Sequence, residues 1–339
     1  MSRPLRLATY NVEWFDALFD DAGRPALGGE AARRGLSRAA QWDALGAVFG
    51  ALDADGVLVV EAPDISRRRD GCAALERFAA RWGLRARVAV SGFPNDTQQE
   101  IVFLYDPDRI EARHDPRGAG DAPRFDAQLH IDLDVDDRED RVRFSKPPLE
   151  LELRAEGRIL RIIGAHLKSK APHGARSHAD LVRLAVAARR KHLAQSIWVR
   201  RRVDAHLAAR EPLVVMGDFN DGPGLDIYEA VFGRSGVEIV AGEGAGRLTD
   251  PSLDASAAGR GPSSARFEQP DGVLRALLDY AMVSPDLMAA RPAWRIWHPE
   301  EDARLAADRP LAAALMAASD HFPVTLDLDP SRIPEVSPP

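Results

Sequence analysis

A layered α/β fold built on one core is predicted by three features of the 339-residue chain. The chain opens strand–helix–strand, its apolar strands end in polar residues, and neither a repeat nor a linker divides it. A prior of roughly 150 residues per domain would suggest two units, but a layered α/β fold absorbs this length as one. The expected domain spans residues 1–330. Residues 331–339 hold three prolines and are expected to be a flexible tail.

The elements follow from apolar periodicity. Residues 5–12 (LRLATYNV) form a short apolar run that predicts a buried strand, and 16–35 read as a long loop. Trp42, Leu45, Val48, Phe49 and Leu52 recur at helical spacing, which predicts a helix over 36–51. A turn at Asp53–Gly56 leads into a strand at 57–61 that ends on Glu61. A second helix is expected over 72–82, with strands at 85–90 and 100–105. Residues 106–146 are acidic and resist assignment. Strands at 149–153 and 159–166 pair across a turn at Glu156-Gly157. A long helix is expected over 178–210, then a buried strand at 213–217. Residues 254–272 are rich in Ala, Ser, Gly and Pro and predict a loop. Strands at 277–283 and 324–329 close the chain.

Composition narrows the function. Charged residues make up 29% and hydrophobic ones 45%, ordinary for a globular protein. No run of about 18 apolar residues exists, so a membrane span is excluded. Met-Ser-Arg-Pro runs straight into the first strand with no secretory apolar region, and the expected location is cytoplasmic. Cys72 is the one cysteine, so an intrachain disulfide and a thiolate metal cage are both ruled out. The net charge of −7 argues against a protein that holds duplex DNA by broad phosphate neutralisation, yet leaves room for an enzyme that meets phosphate locally through a metal.

The strand ends carry the chemistry. Glu61 ends one strand, His166 another, and Asp218 with Asn220 a third; Asp279 lies inside Leu277–Val283, and Asp320-His321 precede Phe322-Pro323-Val324. Ligand sites of layered α/β proteins favour such positions, where side chains leave a rigid sheet. Any one of these is ordinarily a turn former. Seven in one chain point to a shared site.

Ala8-Thr-Tyr-Asn11, the glutamate of Val-Val-Glu61, His166-Leu-Lys-Ser, Gly217-Asp218-Phe-Asn220, Leu278-Asp279-Tyr and Ser319-Asp320-His321-Phe-Pro-Val resemble the endonuclease/exonuclease/phosphatase (deoxyribonuclease I-like) superfamily. The match keeps the family's order from Asn11 to Val324. The resemblance implies a four-layer sandwich: two mixed β-sheets face to face, with helices on both outer faces. It also implies hydrolysis of a phosphoester with a divalent cation, Mg²⁺ or Mn²⁺ in its place, by in-line attack of water. Glu61, Asn11 and Asp320 are then the metal ligands. Asp218 orients or deprotonates the water, and Asn220 bonds the phosphate or that water. His321 contacts a non-bridging phosphate oxygen, and Asp279 orients its ring. His166 matches a second phosphate-contacting histidine of the deoxyribonuclease, sphingomyelinase and inositol-phosphatase branches. Glu100 is its expected acidic partner, unless a one-residue slip substitutes Gln99.

Physical chemistry agrees with a cation. Two like charges 4 Å apart cost about 4 kcal/mol at an effective dielectric of 20, so converging carboxylates need one. Oxygen-rich donors suit Mg²⁺, whose count, one or two, stays open. A carboxylate partner should raise the pKa of His321. The role of Glu13, beside Asn11, is open. The implied substrate is a phosphodiester, with nucleic acid favoured and a nuclease the leading reading. The alternatives are a phosphatase or phospholipase C-like enzyme on inositol phosphates, sphingolipid headgroups or other monoesters, and an inactive scaffold of the same fold.

Other features have plainer readings. The remaining histidines, His114, His130, His173, His178, His192, His206 and His298, lack ligand spacing and are expected at the surface or in loops. Arg189, Arg190, Lys191 and Arg200–Arg202 are expected to form a solvated helix face rather than a nucleic-acid contact. Lys168 and Lys170 follow His166 and either help bind phosphate or are solvated. Trp198, Trp294 and Trp297 are expected to pack in the core.

Overall fold

The computed structural model describes residues 3–335 except 34, 96, 119–120, 134–138, 173, 227–228, 230–232 and 258–260. Its opening matches the expected strand–helix–strand unit: β1 (Leu5–Asn11), α1 (Arg38–Leu52) and β2 (Gly56–Ala62), with β1 and β2 parallel. The helix starts after Leu36 because the Ser37 hydroxyl accepts the Ala40 N–H at 3.1 Å, an N-cap that fixes the first turn. Next come α2 (Gly71–Trp82), β3 (Val88–Ser91) and β4 (Glu100–Tyr105). The third strand begins later than expected, since Arg85 is drawn aside to Asp53 and Asp55.

The unassigned stretch 106–146 supplies β5 (Ile110–His114) and a small hairpin, β6 (Leu129–Ile131) with β7 (Asp140–Val142). The pair β8 (Leu149–Ala155) and β9 (Arg158–His166) follows, then α3 (His178–Ala208) and β10 (Leu213–Asp218). After α4 (Gly236–Ala241), the expected loop at 254–272 is overturned. It contains the end of α5 (Pro251–Ala257) and most of a hairpin, β11 (Ala265–Gln269) and β12 (Gly272–Ala276). Its Ala/Ser/Gly/Pro content masked the alternation in Arg266–Gln269 and the Pro270-Asp271-Gly272 turn. The chain ends with β13 (Asp279–Val283), β14 (Ala293–Ile296), α6 (Ala303–Ala307), α7 (Arg309–Ala318) and β15 (Val324–Leu328). Ser331 and Arg332, expected in the flexible tail, instead complete the 3₁₀ turn Pro330–Arg332, and Ile333 after it is buried in the core.

Two mixed sheets result, in the orders β14-β15-β1-β2-β4-β3 and β13-β10-β9-β8-β5. Their facing sides share one apolar layer that includes Leu5, Leu7, Leu58, Val60, Ile162, Val214, Met216, Ala281 and Val283. Behind the first sheet, Tyr10, Val57 and Val59 pack on α1 and α2 through Trp42, Leu45, Phe49 and Phe78. Behind the second, Ile163, Ala165 and Val215 pack on Trp198, Val199 and Val203 of α3. This is the four-layer sandwich the resemblance implied. The sheets approach closely at Gly164, where a Cβ would lie 2.4 Å from Leu58 Cδ1.

Candidate active site

Strand periodicity alone aims the functional side chains. Val214 and Met216 face the inter-sheet layer, so two residues on Asp218 faces it too, at the end of β10. The register sets Asp218 opposite His166 on β9 and opposite Asp279 on β13, so the three form one rung across the sheet edge. Asn11 and Glu61 arrive from the ends of parallel β1 and β2 in the facing sheet. Asp320 and His321 precede β15, which runs antiparallel beside β1. All eight expected residues therefore gather at one end of the sandwich.

Backbone strain marks the same place. Gly217 has φ +139°, and a Cβ there would sit 1.9 Å from the Ala165 carbonyl oxygen, so no other residue fits before Asp218. Glu61 (φ 58°) sits at a break in the β2–β4 register, and Asn220 (φ 52°) and Glu13 (φ 38°) are also left-handed. Non-glycine residues hold such conformations only where their surroundings over-determine them.

The hydrogen bonds define two halves. Asp279 Oδ2 takes a 2.8 Å bond from His321 Nδ1 and another from the Ser264 hydroxyl. Burial alone would lower the His321 pKa, but Asp279 and Asp218 outweigh it and hold the imidazole well above its ordinary value. The expectation for His321 thus agrees with the geometry. Asp218 Oδ2 accepts the Asn11 amide at 2.9 Å and the Asn220 amide at 3.2 Å, while its Oδ1 accepts the Asn220 N–H at 2.8 Å. Burial, reinforced by Asp279, raises its pKa.

On the other half, Glu61 Oε2 accepts the Trp14 N–H at 2.9 Å. Burial, with the charge of Asp218, raises the Glu61 carboxyl above its ordinary range. Glu13 takes Arg33 Nη1 at 3.0 Å and the Asp320 N–H at 3.1 Å, so it braces the loop carrying Asp320. The Ser319 hydroxyl ties that loop to the Asn11 carbonyl at 2.8 Å.

The expected partner of His166 is corrected. Glu100 is buried but bonds Asn95, at 2.8 Å through its side-chain amide. The neighbour of His166 is Lys146, whose Nζ lies 2.9 Å from His166 Nε2 and 3.2 Å from Gln99 Oε1. Burial and the adjacent cations Lys146 and His321 push the His166 pKa well down, so its ring is neutral. Burial lowers Lys146 to about 8, against the pull of Asp218 and Glu61. Lys146 was missed because it ends the unassignable stretch; its one signal was rarity, as one of four lysines. Ser264 gave no sequence signal.

Other expectations are sorted by the same geometry. Lys170 is locked between Asp221 and Glu229. His192, His206 and His298 are buried rather than at the surface, and His173 lies outside the described residues. Trp198 and Trp297 are buried as expected, and Trp294 packs against the inner core.

These strand-end carboxylates, the Asp279–His321 pair and the glycine before Asp218 invite comparison with known families. The family model described as "Endonuclease/Exonuclease/phosphatase family" matches residues 8–321. The chain belongs to this family. The endonuclease/exonuclease/phosphatase family is one of metal-dependent phosphoester hydrolases, which makes the chain a phosphoester hydrolase. No curated protein matches the sequence. Among solved structures, truncated Caenorhabditis elegans TDP2 is similar at 12% identity and a TM-score of 0.53, over 96% of this chain and 97% of that one. Humanized D. rerio TDP2 is similar at 12% identity and 0.52, over 96% and 99%. D. rerio TDP2 complexed with single-strand DNA product is similar at 13% identity and 0.50, over 96% and 98%. At such identities these likenesses show the shared fold.

The donor set fits the family's metal. Asp218, Asp279 and His321 bring ligand atoms within 4.8 Å of one another, a group able to hold an ion. Across the cleft, Glu61 is a carboxylate disfavoured as an anion by burial and by Asp218, which a cation would relieve. Among the described residues, no helix is long and apolar enough to cross a membrane.

Proposed function

We propose that the protein is a Mg²⁺-dependent phosphodiesterase acting on nucleic acid, a nuclease by reaction type. The observation that carries this reading is the rung His166–Asp218–Asp279 with His321 bonded at its end. Asp218, raised by burial and steadied by two amides, is placed to take a proton from a water attacking phosphorus. The His321 imidazolium, held by Asp279, is a fixed positive charge for a non-bridging oxygen. Lys146 is a second cation beside it, and neutral His166 accepts from Lys146, which orients the ammonium toward the phosphate. Asn220 completes the set.

Glu61, Asn11 and Asp320 would hold the ion. The Asp218–Asp279–His321 group also brings donor atoms together, but Asp279 and Asp218 hold the His321 imidazole well above its ordinary pKa, and an imidazolium has no lone pair to offer the ion. When bound, Mg²⁺ supplies Lewis acidity to the phosphate oxygens and offsets charge on the leaving oxygen. Nucleic acid is favoured because a protein of the same fold has been solved with single-strand DNA product.

The test is hydrolysis of an aryl phosphodiester and of linear and supercoiled DNA, each with Mg²⁺, with Mn²⁺ and with chelator. Metal-dependent cleavage of diesters is expected. Hydrolysis confined to monoesters or inositol phosphates would move the assignment to a phosphatase, and no hydrolysis with either metal would leave a scaffold.

A further inference from the structure

The chain has four lysines against 41 arginines among its 45 basic residues, and all four lie by the active site or on the helix behind it. Lys170 is neutralised by Asp221 and Glu229. The other three are not. Among the described residues, Lys146, Lys168 and Lys191 make no ion pair with a carboxylate, and their charges act on one another: Lys191 and Lys168 both disfavour charged Lys146, and Lys191 disfavours charged Lys168. Most arginines on the same surface are paired, as Arg190 is with Asp140 at 2.7 Å.

Buried side chains hold this arrangement in place. Gln195 Oε1 accepts the Lys168 N–H at 2.9 Å, and His192 Nδ1 bonds the Lys168 carbonyl at 2.8 Å. Both residues are at most 2% exposed and stand on α3 beside Lys191. The helix therefore clamps the loop after His166 so that Lys168 and Lys191 line one hollow of about 260 Å³, with Pro172, Leu184 and Ala188 and no acid among its described lining residues. Past Lys191 a second hollow of about 390 Å³ continues, lined by Arg141, Arg143 and Arg190; among its described lining residues the one acid, Asp140, is paired with Arg190. Like charges held together without a counterion favour an anion between them.

We propose that Lys168 and Lys191 form a second phosphate subsite, which takes the phosphate flanking the scissile one on a nucleic-acid strand. The inference rests on the phosphodiesterase reading and adds the strand's path: from the seat at His321 and Lys146, over Lys168 and Lys191, toward Arg141 and Arg143. The continuing second hollow favours a strand over a compact polyphosphate. The clamp residues Gln195 and His192 are positioning residues.

The test compares the parent with the double variant Lys168→Gln/Lys191→Gln and with Lys168→Arg/Lys191→Arg. Binding of a fluorescein-labelled single-stranded oligonucleotide is read by anisotropy in chelator, and hydrolysis is read on bis(4-nitrophenyl) phosphate, which carries one phosphate. The glutamine variant should bind the oligonucleotide about tenfold more weakly. Its slope of log Kd against log salt should flatten by about 1.4, two lysines at roughly 0.7 each. Its aryl hydrolysis should match the parent's, and the arginine variant should restore binding. Parental binding and slope in the glutamine variant would overturn the subsite, as would loss of aryl hydrolysis, which would put these lysines at the scissile phosphate. Equal weakening for an inositol polyphosphate and the oligonucleotide would overturn the strand path. A parent that binds DNA yet hydrolyses nothing would sink the phosphodiesterase reading alone, because the binding arm needs no turnover.

Discussion

Strands β2 and β10 each carry a carboxylate at both ends, and the two ends are treated in opposite ways. At their starts, Asp55 takes Arg85 at 2.7 Å, Arg109 at 2.8 Å and Arg3, while Glu211 takes Arg117 twice at 2.8 Å, Arg161 at 3.1 Å and His206 at 2.7 Å. These partners overcome burial, lowering Asp55 and holding Glu211 at about 2. At their finishes, Glu61 and Asp218 meet no arginine among the described residues, only amides, N–H groups and a histidine, and both are raised. Saturation with arginine makes a carboxylate structural. Withholding arginine leaves it reactive, at a cost in stability that the rest of the fold offsets.

The sharpest way to break this comparison is Asp218→Asn. Turnover on an aryl diester should fall about 10²–10⁴-fold, the range for losing a general base. Thermal unfolding should not move downward, because the amide removes a buried charge whose one neighbour at ion-pair distance among the described residues, His166 at 3.6 Å, has its pKa pushed well down by burial and so offers no compensating charge. Near-parental turnover would remove Asp218 from the chemistry.

The mirror experiment is at the opposite end. Arg161 bridges Asp115, Glu152 and Glu211 while nearly buried, so Arg161→Ala should cost about 3–5 kcal/mol of stability, as breaking a buried pair does, with kcat unchanged in folded protein. The pH sign follows from Glu211. Its pKa is depressed on folding, so its contribution is present above its ordinary value of 4.5 and disappears as pH falls toward 2. Denaturant melts of Glu211→Gln should therefore show a shallower acid loss than the parent between those pH values.

This asymmetry also explains what the sequence could reveal. Seven of the eight site residues were legible as polar groups at strand ends, where Asp279 and His321 each adjoin an apolar run; Asn11, and the role of each residue, came from the resemblance of the surrounding motifs to a known family. Residues that reach the site from irregular or weakly patterned chain have no such frame. Lys146 approaches through a segment whose pairing, β5 with β8, spans long sequence separation and leaves no local period. Ser264 lies at the foot of the β11–β12 hairpin, inside a stretch whose small residues resembled a loop. The helices α1 and α3 were legible from large apolar residues recurring at helical spacing, whereas α7, Arg309–Ala318, is short and mostly alanine, with only Leu311, Leu315 and Met316 to set a spacing.

Lys146 offers a smaller effect that sharpens the reactive end. Burial brings its pKa down to about 8, so the ammonium is present below that pH and lost above it. A phosphate contact at this position predicts an alkaline limb in kcat/KM near pH 8. Lys146→Arg keeps its charge, so that limb should vanish, leaving the variant about tenfold ahead of the parent's own decline by pH 9, one unit past the midpoint. An unchanged limb would assign it to another group.

The smallest effect on turnover comes from Glu100, the carboxylate that sequence reasoning set beside His166. Burial, with the charges of Asp64 and Asp16, raises it from 4.5 to about 7, and its hydrogen bonds go to Asn95 rather than to the catalytic rung. A carboxyl raised on folding contributes fully below its unfolded value, and that contribution is lost as pH rises through 7. Glutamine copies the neutral form, so Glu100→Gln should be more stable than the parent at pH 8 by roughly 3 kcal/mol at most, while the two converge below pH 4.5. Turnover should not change. A hundredfold loss of kcat with metal in excess would instead return Glu100 to the site, and the division between arginine-saturated and reactive carboxylates would need a third class: buried acids that serve catalysis without touching the rung.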